Sequence, residues 1–215
     1  MLRTNATAAV QRGGTVADLR GDAFGHGVAE VAPIVHDAGA RALLVGSGRV
    51  AEALRRSGLP AIVEGEPDID GDALYGLPGS GLDPVMRLSG QVLSTKPLRA
   101  GEAVSYGYTY RATVDTTVAL VTGGYAQGVV RALGNRVRVQ VGGELVPIVG
   151  RVAMDVCVVD LQAPSPAVAD GTEVVFFGGS GPVKDGLAAW AEATGLSAAE
   201  LITVAGSKAV REWEH

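Results

Sequence analysis

Scarcity is the first thing this chain of 215 residues displays. It has one cysteine, Cys157, which excludes a disulfide framework and a thiolate zinc site and suits a reducing cytosol. Its 18 basic residues are outnumbered by 23 acidic ones, giving a formal net charge of −5. No basic stripe exists to release counterions, which argues against general nucleic-acid binding. Lysine is confined to Lys96, Lys184 and Lys208, and histidine to His26, His36 and His215. The histidines share no metal-ligand spacing with one another or with nearby acids. No apolar run approaches a membrane span, and the opening "MLRTNATAAVQRGG" lacks an apolar signal core. Asn5 heads a glycosylation-type "NAT", which a cytosolic protein never presents for modification. Soluble, cytoplasmic residence is the expectation. There is no phosphate loop ending in Gly-Lys-Ser/Thr and no nucleophile elbow.

What is present divides into two textures. Residues 14–63 alternate apolar runs with helical periodicity: "GTVADL", "RALLVGS" and "LPAIVEG" read as strands. "GVAEVAPIVHDAG", ending at Gly39, and "GRVAEALRRSG" read as helices. Strand–helix repeats with short loops imply parallel pairing. From Glu64 to Asp83 the chain is rich in Gly, Pro and Asp around one short expected strand, "DALYG". After Pro84, β-branched runs recur at short spacing, with a Gly-Gly hairpin signal in "VGGELV". "KDGLAAWAEATG" and "SAAELIT" read as late helices. The expected domains are 1–83, α/β, and 84–215, a barrel-like β-domain. Three parallel strands and two helices make a thin layer, so the first domain should need a partner to cover its faces and edges.

Candidate chemistry is sparse. Gly46 and Gly48, with Ala51 and a loosely placed Glu64, form a partial dinucleotide fingerprint, but strand–helix corners often carry two glycines for steric reasons. None of the three lysines ends a parallel strand, and all read as solvated surface groups. "SYGYTYR" (105–111) and "GGYAQG" (123–128) set tyrosines beside glycines. Such a phenol serves as an acid or base if a cation lowers its pKa, or it simply packs with its hydroxyl bonded to backbone. The stretch "DLRGDAFGHG" (18–27) is shaped like a phosphate-holding loop, yet its first long side chain is Arg20 and its aromatic is Phe24.

Taken together, these segments resemble the alanine racemases. "LRGDAFGHGVAEVAPIVHDAGAR" is similar to that family's first strand, cofactor-lysine loop and following helix, and "DALYGL" to its last barrel strand. "DPVMRLSGQVLS", "VSYGYTYRA", "TGGYAQGVVRALGNR", "VPIVGRVAMDVCVVDL" and "GTEVVFFGG" resemble its C-terminal β-domain in consecutive order. The resemblance implies an incomplete remnant of a (β/α)8 barrel that binds pyridoxal phosphate, followed by a C-terminal β-barrel-like domain. It also implies a head-to-tail homodimer and, for the family, interconversion of L- and D-alanine for peptidoglycan.

The departures are as informative. The middle of the barrel is missing at about Glu64 to Asp70. By the resemblance, the Schiff-base lysine falls on Arg20, a phosphate-binding tyrosine on Phe24, and the arginine facing the pyridine nitrogen on Ile69, two residues before Gly71. With Asp72 these form the degenerate end of the cofactor site, and a further phosphate-side tyrosine falls on Lys208. The second-base tyrosine is kept as Tyr125, and a substrate-side pair as Met154 and Asp155. Gly25, His26 and Gly27 keep the loop's shape. A guanidinium cannot form an imine, so the expectation is a dimeric binding or regulatory protein with no cofactor. The alternatives are pyridoxal phosphate chemistry at a relocated Lys208, Tyr125 supplied in trans to a full-length racemase in a hetero-oligomer, or an incomplete product that folds poorly.

Overall fold

The structure is a computed structural model that describes every residue except Tyr106, Ser165 and His215. Two compact units form: Met1–Met86 with Ser197–His215, and Arg87–Leu196. These packing units differ from the division at residue 83 in one respect. The last segment packs with the first unit, because the final helix buries Leu201, Ile202, Ala205 and Gly206 there.

In the first unit, α1 (Leu2–Gln11) leads into β1 (Val16–Asp18), and α2 (Arg20–Phe24) is a single turn. Then follow α3 (Val28–Asp37), β2 (Ala42–Leu44), α4 (Gly48–Arg56), β3 (Ala61–Ile62) and α5 (Gly71–Tyr75). The strands pair in parallel in the order β1-β2-β3. Ala17, Leu43, Leu44 and Ala61 are buried, as parallel strands carrying helices require. Beyond β1 the sheet is extended by a parallel bridge from Ala17 to Ile69, with Asp18 N donating to Ile69 O at 3.3 Å. Asp68 fastens this remnant: its carboxylate accepts from Thr15 N (2.7 Å), Val16 N (2.6 Å) and Thr15 Oγ1 (2.8 Å). These bonds hold its pKa below the usual carboxylate range.

One sequence expectation fails here. "DALYG" is a helix, capped by Asp70, whose side chain accepts from Asp72 N, and ended by left-handed Gly76. The strand position belongs to Ile69 instead. Asn5 of the "NAT" triplet lies buried inside the unanticipated α1, where its amide donates to Leu74 O and Asp83 O, both at 3.2 Å.

The second unit contains β4 (Leu88–Leu98), β5 (Ala103–Val104), β6 (Tyr110–Arg111), β7 (Thr116–Thr122), β8 (Arg138–Val141), β9 (Glu144–Val149), β10 (Val156–Asp160), β11 (Glu173–Phe177) and α6 (Gly186–Thr194). Six strands close an antiparallel barrel in the order β10-β7-β4-β11-β8-β9, while β5 and β6 form a separate ribbon. Closure removes the open edges an isolated sheet would expose. The Gly-Gly signal is realised: Gly142 and Gly143, both at positive φ, turn β8 into β9. Asp160, buried in β10, accepts from Tyr110 Oη at 2.5 Å, from Thr116 Oγ1 and from Gln162 N at 2.8 Å. Burial first, then the hydrogen bond to Asp160, pushes the Tyr110 phenol up to about 12. Burial likewise pushes the Cys157 thiol up to about 12, which keeps it an unreactive core group. The chain resumes the first unit with α7 (Ala198–Lys208), opened by a Ser197/Glu200 capping box.

Trp190, fully buried on α6, meets Phe176 and Phe177 edge-on at 6.4 and 5.1 Å between ring centroids. Its indole N–H has no hydrogen-bond partner among the described residues. Trp190→Ala should cost about 4 kcal/mol. Trp190→Phe should stay within about 1 kcal/mol, since it removes an orphaned donor along with some apolar area. Urea unfolding separates these outcomes, and a large loss for the phenylalanine variant would contradict the orphaned-donor argument.

Candidate functional site

The first unit gathers its unusual residues at the carboxyl end of β1, the end where parallel sheets present functional groups. Residues 21–25 all have positive φ, and Gly21, Asp22 and Ala23 lie at 62, 56 and 56°. With Ala23 N bonding Leu19 O and Gly25 N bonding Gly21 O, α2 is a left-handed helical turn rather than an open loop. Each residue with a side chain costs roughly 1–2 kcal/mol in that conformation, and Asp22, Ala23 and Phe24 all adopt it. Neighbouring contacts must outweigh that cost.

Arg20 opens the turn in a two-pronged ion pair with Asp18, Nε to Oδ1 at 2.8 Å and Nη2 to Oδ2 at 2.6 Å. The Arg20 side chain is 54 % exposed and that of Asp18 only 9 %. Burial would raise the Asp18 pKa, but hydrogen bonds and charge from Arg20 hold it below the usual range. The same pair raises Arg20 further above its already high value, first through the hydrogen bonds. This guanidinium is fully committed to its positive charge.

Beneath the turn lies an aromatic cluster. The Phe24 ring rests so close over Gly71 that a Cβ there would stand 2.5 Å from Cζ of Phe24, so any side chain at position 71 would have to displace the ring. Phe24 also meets Tyr75, with centroids 5.1 Å apart, and His26 stacks on Tyr75 at 4.3 Å. Tyr75 is wholly buried, its hydroxyl 3.5 Å from Asp18 O. Burial, then the charges of Asp18 and Asp22, push its phenol well above the ordinary value. His26 Nδ1 lies 3.0 Å from Ala23 O, whereas Nε2 is buried without a partner among the described residues. Burial depresses the His26 pKa to about 4, so the ring is neutral at pH 7.

Of the residues singled out from sequence, Arg20, Phe24 and Gly71 share this neighbourhood. Asp72, exposed on the first turn of α5, has its carboxyl raised by burial of its charged form and by Asp70. Ile69 is buried and packs beside Gly14, so it serves the core. Lys208 is exposed on the last turn of α7. Neither Gly46 nor Gly48 has positive φ, and no protein atom would crowd a Cβ on either, so nothing in the protein's own packing at this corner requires glycine. Sequence reading missed Asp18, Tyr75 and Arg211. Arg211 donates from Nη1 to Asp22 Oδ2 at 2.5 Å and to Gly25 O at 3.2 Å.

In the second unit, Tyr125, Met154 and Asp155 do come together. Tyr125 begins a 3-10 turn, Tyr125–Gln127, whose backbone is knitted to the segment before β10. Tyr125 N donates to Ala153 O (3.0 Å), Ala126 N to Met154 O (2.9 Å) and Gly123 N to Asp155 O (3.0 Å). Gln127 Nε2 reaches Asp155 Oδ1 at 3.1 Å. A Cβ on Gly124 would lie 2.2 Å from Met154 O, so glycine is obligatory for the interlock. Tyr125 and Met154 remain 38 % and 55 % exposed, a rigidly backed polar-tipped surface. In "SYGYTYR", Tyr106 lies outside the described residues, Tyr108 is exposed, and Tyr110 binds Asp160. Among the described residues no group of three or more His, Cys, Asp and Glu could hold a metal ion. No described helix is long and apolar enough to cross a membrane.

The fold of this chain, a parallel α/β segment with a six-stranded antiparallel barrel, is similar to that of solved alanine racemases. The structure from D-cycloserine-producing Streptomyces lavendulae matches with a TM-score of 0.83 at 20 % identity, covering 97 % of this chain and 93 % of that one. The structure from Streptomyces coelicolor matches at 0.81 and 22 %, covering 97 % and 94 %. The family model "alanine racemase, C-terminal domain" matches residues 85–213, more than half of the chain. The chain belongs to the alanine racemase family. The alanine racemase of Mycolicibacterium vanbaalenii is 43 % identical over 133 residues, covering 62 % of this chain and 34 % of that one. That of Corynebacterium efficiens is 48 % identical over 116 residues, covering 52 % and 32 %. The chain thus spans about a third of the length of the curated relatives it matches.

Proposed function

We propose that this chain has given up racemisation and works as a dimeric binding or regulatory protein. The observation that carries this reading is the Arg20–Asp18 ion pair. Where the resemblance puts the lysine that forms an imine, there is a guanidinium held by two hydrogen bonds. It has no nucleophilic amine to offer at any ordinary pH. The residues around it do not fit pyridoxal phosphate either. Phe24 carries no hydroxyl for a phosphate and closes down on Gly71, Ile69 is turned into the core, and Lys208 stands on the exposed end of α7.

Pure protein supplied with pyridoxal phosphate should show no exchange of L- and D-alanine. Borohydride reduction followed by peptide mass analysis should find no pyridoxyl-lysine. Sustained racemisation, or an adduct on Lys208, would overturn the proposal in favour of a relocated active lysine. A cooperative melt excludes the poorly folded product, and sedimentation should give a dimer.

A second reading rests on the intact Tyr125–Met154–Asp155 interlock, which leaves the Tyr125 side chain accessible on a fixed backbone. In it, this chain pairs with a full-length racemase and supplies Tyr125 to that protein's site. Co-purification with the racemase, and a change in its turnover with wild type but not with Tyr125→Phe, is the expected result. No association would remove this reading.

A further inference from the structure

We infer that the segment after α7 is a latch, with Arg211 holding α2 in its left-handed form and so keeping the aromatic cluster closed. The C-terminal segment restrains the turn at two places. On one side the backbone of α7 presses against Gly25, where a Cβ on Gly206 would lie 2.1 Å from Gly25 O. On the other, Arg211 reaches back from beyond the helix to Asp22 Oδ2 and Gly25 O. Asp22 is the pivot, since its other oxygen, Oδ1, accepts at 2.8 Å from the N–H of Val28, the first residue of α3. One carboxylate thus couples the tail, the turn and the following helix.

The two ends of this clasp are 40 % and 48 % exposed, so solvent and solutes reach it, unlike the buried α7 contact. Asp22, Ala23 and Phe24 gain nothing intrinsic from the left-handed region. With the clasp gone, they relax toward right-handed backbone and lift the Phe24 ring from Gly71. That movement uncovers His26 and Tyr75, which the closed turn buries. The latch is a property of this fold whether or not the chain catalyses anything.

Hydrogen exchange on the full chain tests it, with Arg211→Ala, a chain ending at Lys208, and Ala23→Gly combined with Arg211→Ala. The amides of Gly25, His26 and Gly27, all bonded within the turn, should exchange about tenfold faster or more in the first two variants. The amides of Leu43 and Val45, in the neighbouring sheet, should keep their rates. Ala23→Gly, which removes the penalty of a side chain at φ 56°, should return part of the lost protection. Unchanged exchange in the turn overturns the latch. So does an equal rise at Leu43 and Val45, which would mean general loosening, or no recovery with glycine at position 23.

Discussion

Gly206→Ala is expected to destabilise the first unit by about 3 kcal/mol, the upper end of what overpacking a core usually costs. The new methyl group would stand 2.1 Å from Gly25 O, 2.6 Å from Gly25 C and 2.8 Å from Gly25 Cα. These are backbone atoms on both sides, so no side-chain rotation relieves the clash. In the reverse direction a Cβ on Gly25 would meet Ile202 O and Thr203 O at 2.9 Å. Either α7 moves away, loosening Leu201, Ile202 and Ala205, or the left-handed turn deforms. Against this, replacing a helical glycine by alanine contributes about 1 kcal/mol of favourable propensity. The steric cost wins. Ser207→Ala, one residue on and exposed, should fall within about 0.5 kcal/mol of wild type. Urea titrations of the three proteins measure the difference, and wild-type stability for Gly206→Ala would refute the close approach.

Mild acid should weaken the fold through one side chain. His26 titrates near 4 when folded, against an ordinary value of 6.5, chiefly because its charged form would be buried; the Arg211 charge adds to this, and backbone bonds from Ala23 and Phe24 oppose it. A depressed folded pKa means the unfolded chain takes up the proton first as pH falls. The stabilisation is therefore complete above pH 6.5 and is lost as pH drops through 4, a change of about 3 kcal/mol over that window. His26→Gln removes the titration, so its unfolding free energy should stay flatter than wild type between pH 6.5 and 4.5. Parallel slopes for the two proteins would show that His26 is not the group responsible.

Much of this architecture could be read from local chemistry. β-branched runs gave the barrel strands, Gly142–Gly143 the hairpin, and "SAAELIT" a helix that became the first part of α7. What escaped had tertiary causes. The polar α1 shows a weak apolar face, and its place is secured by buried Asn5 reaching Leu74 and Asp83. The α5 helix looked like a strand because Leu74 and Tyr75 suit one, while its true punctuation was Asp70 and Gly76. The candidate site was half legible. Arg20 and Phe24 stood out against the family resemblance, but nothing local reveals Arg20's grip on a buried Asp18 or the seat of Phe24 on Gly71. The Arg211–Asp22 contact joins residues 189 positions apart, beyond any periodicity or motif.

The sheet of the first unit ends at β3, which is two residues long and bonded on one side to β2. An unpaired strand edge is a template for joining another molecule's strand and so a route to fibrous aggregates. Here the run continues one residue beyond β3, to exposed Val63, and then meets Glu64, Gly65, Glu66 and Pro67, two like charges and a residue with no amide hydrogen to donate. That punctuation acts as a gatekeeper. A foreign strand docking on β3 would thus find two ladder positions and then charge and a missing donor, too short a template to propagate.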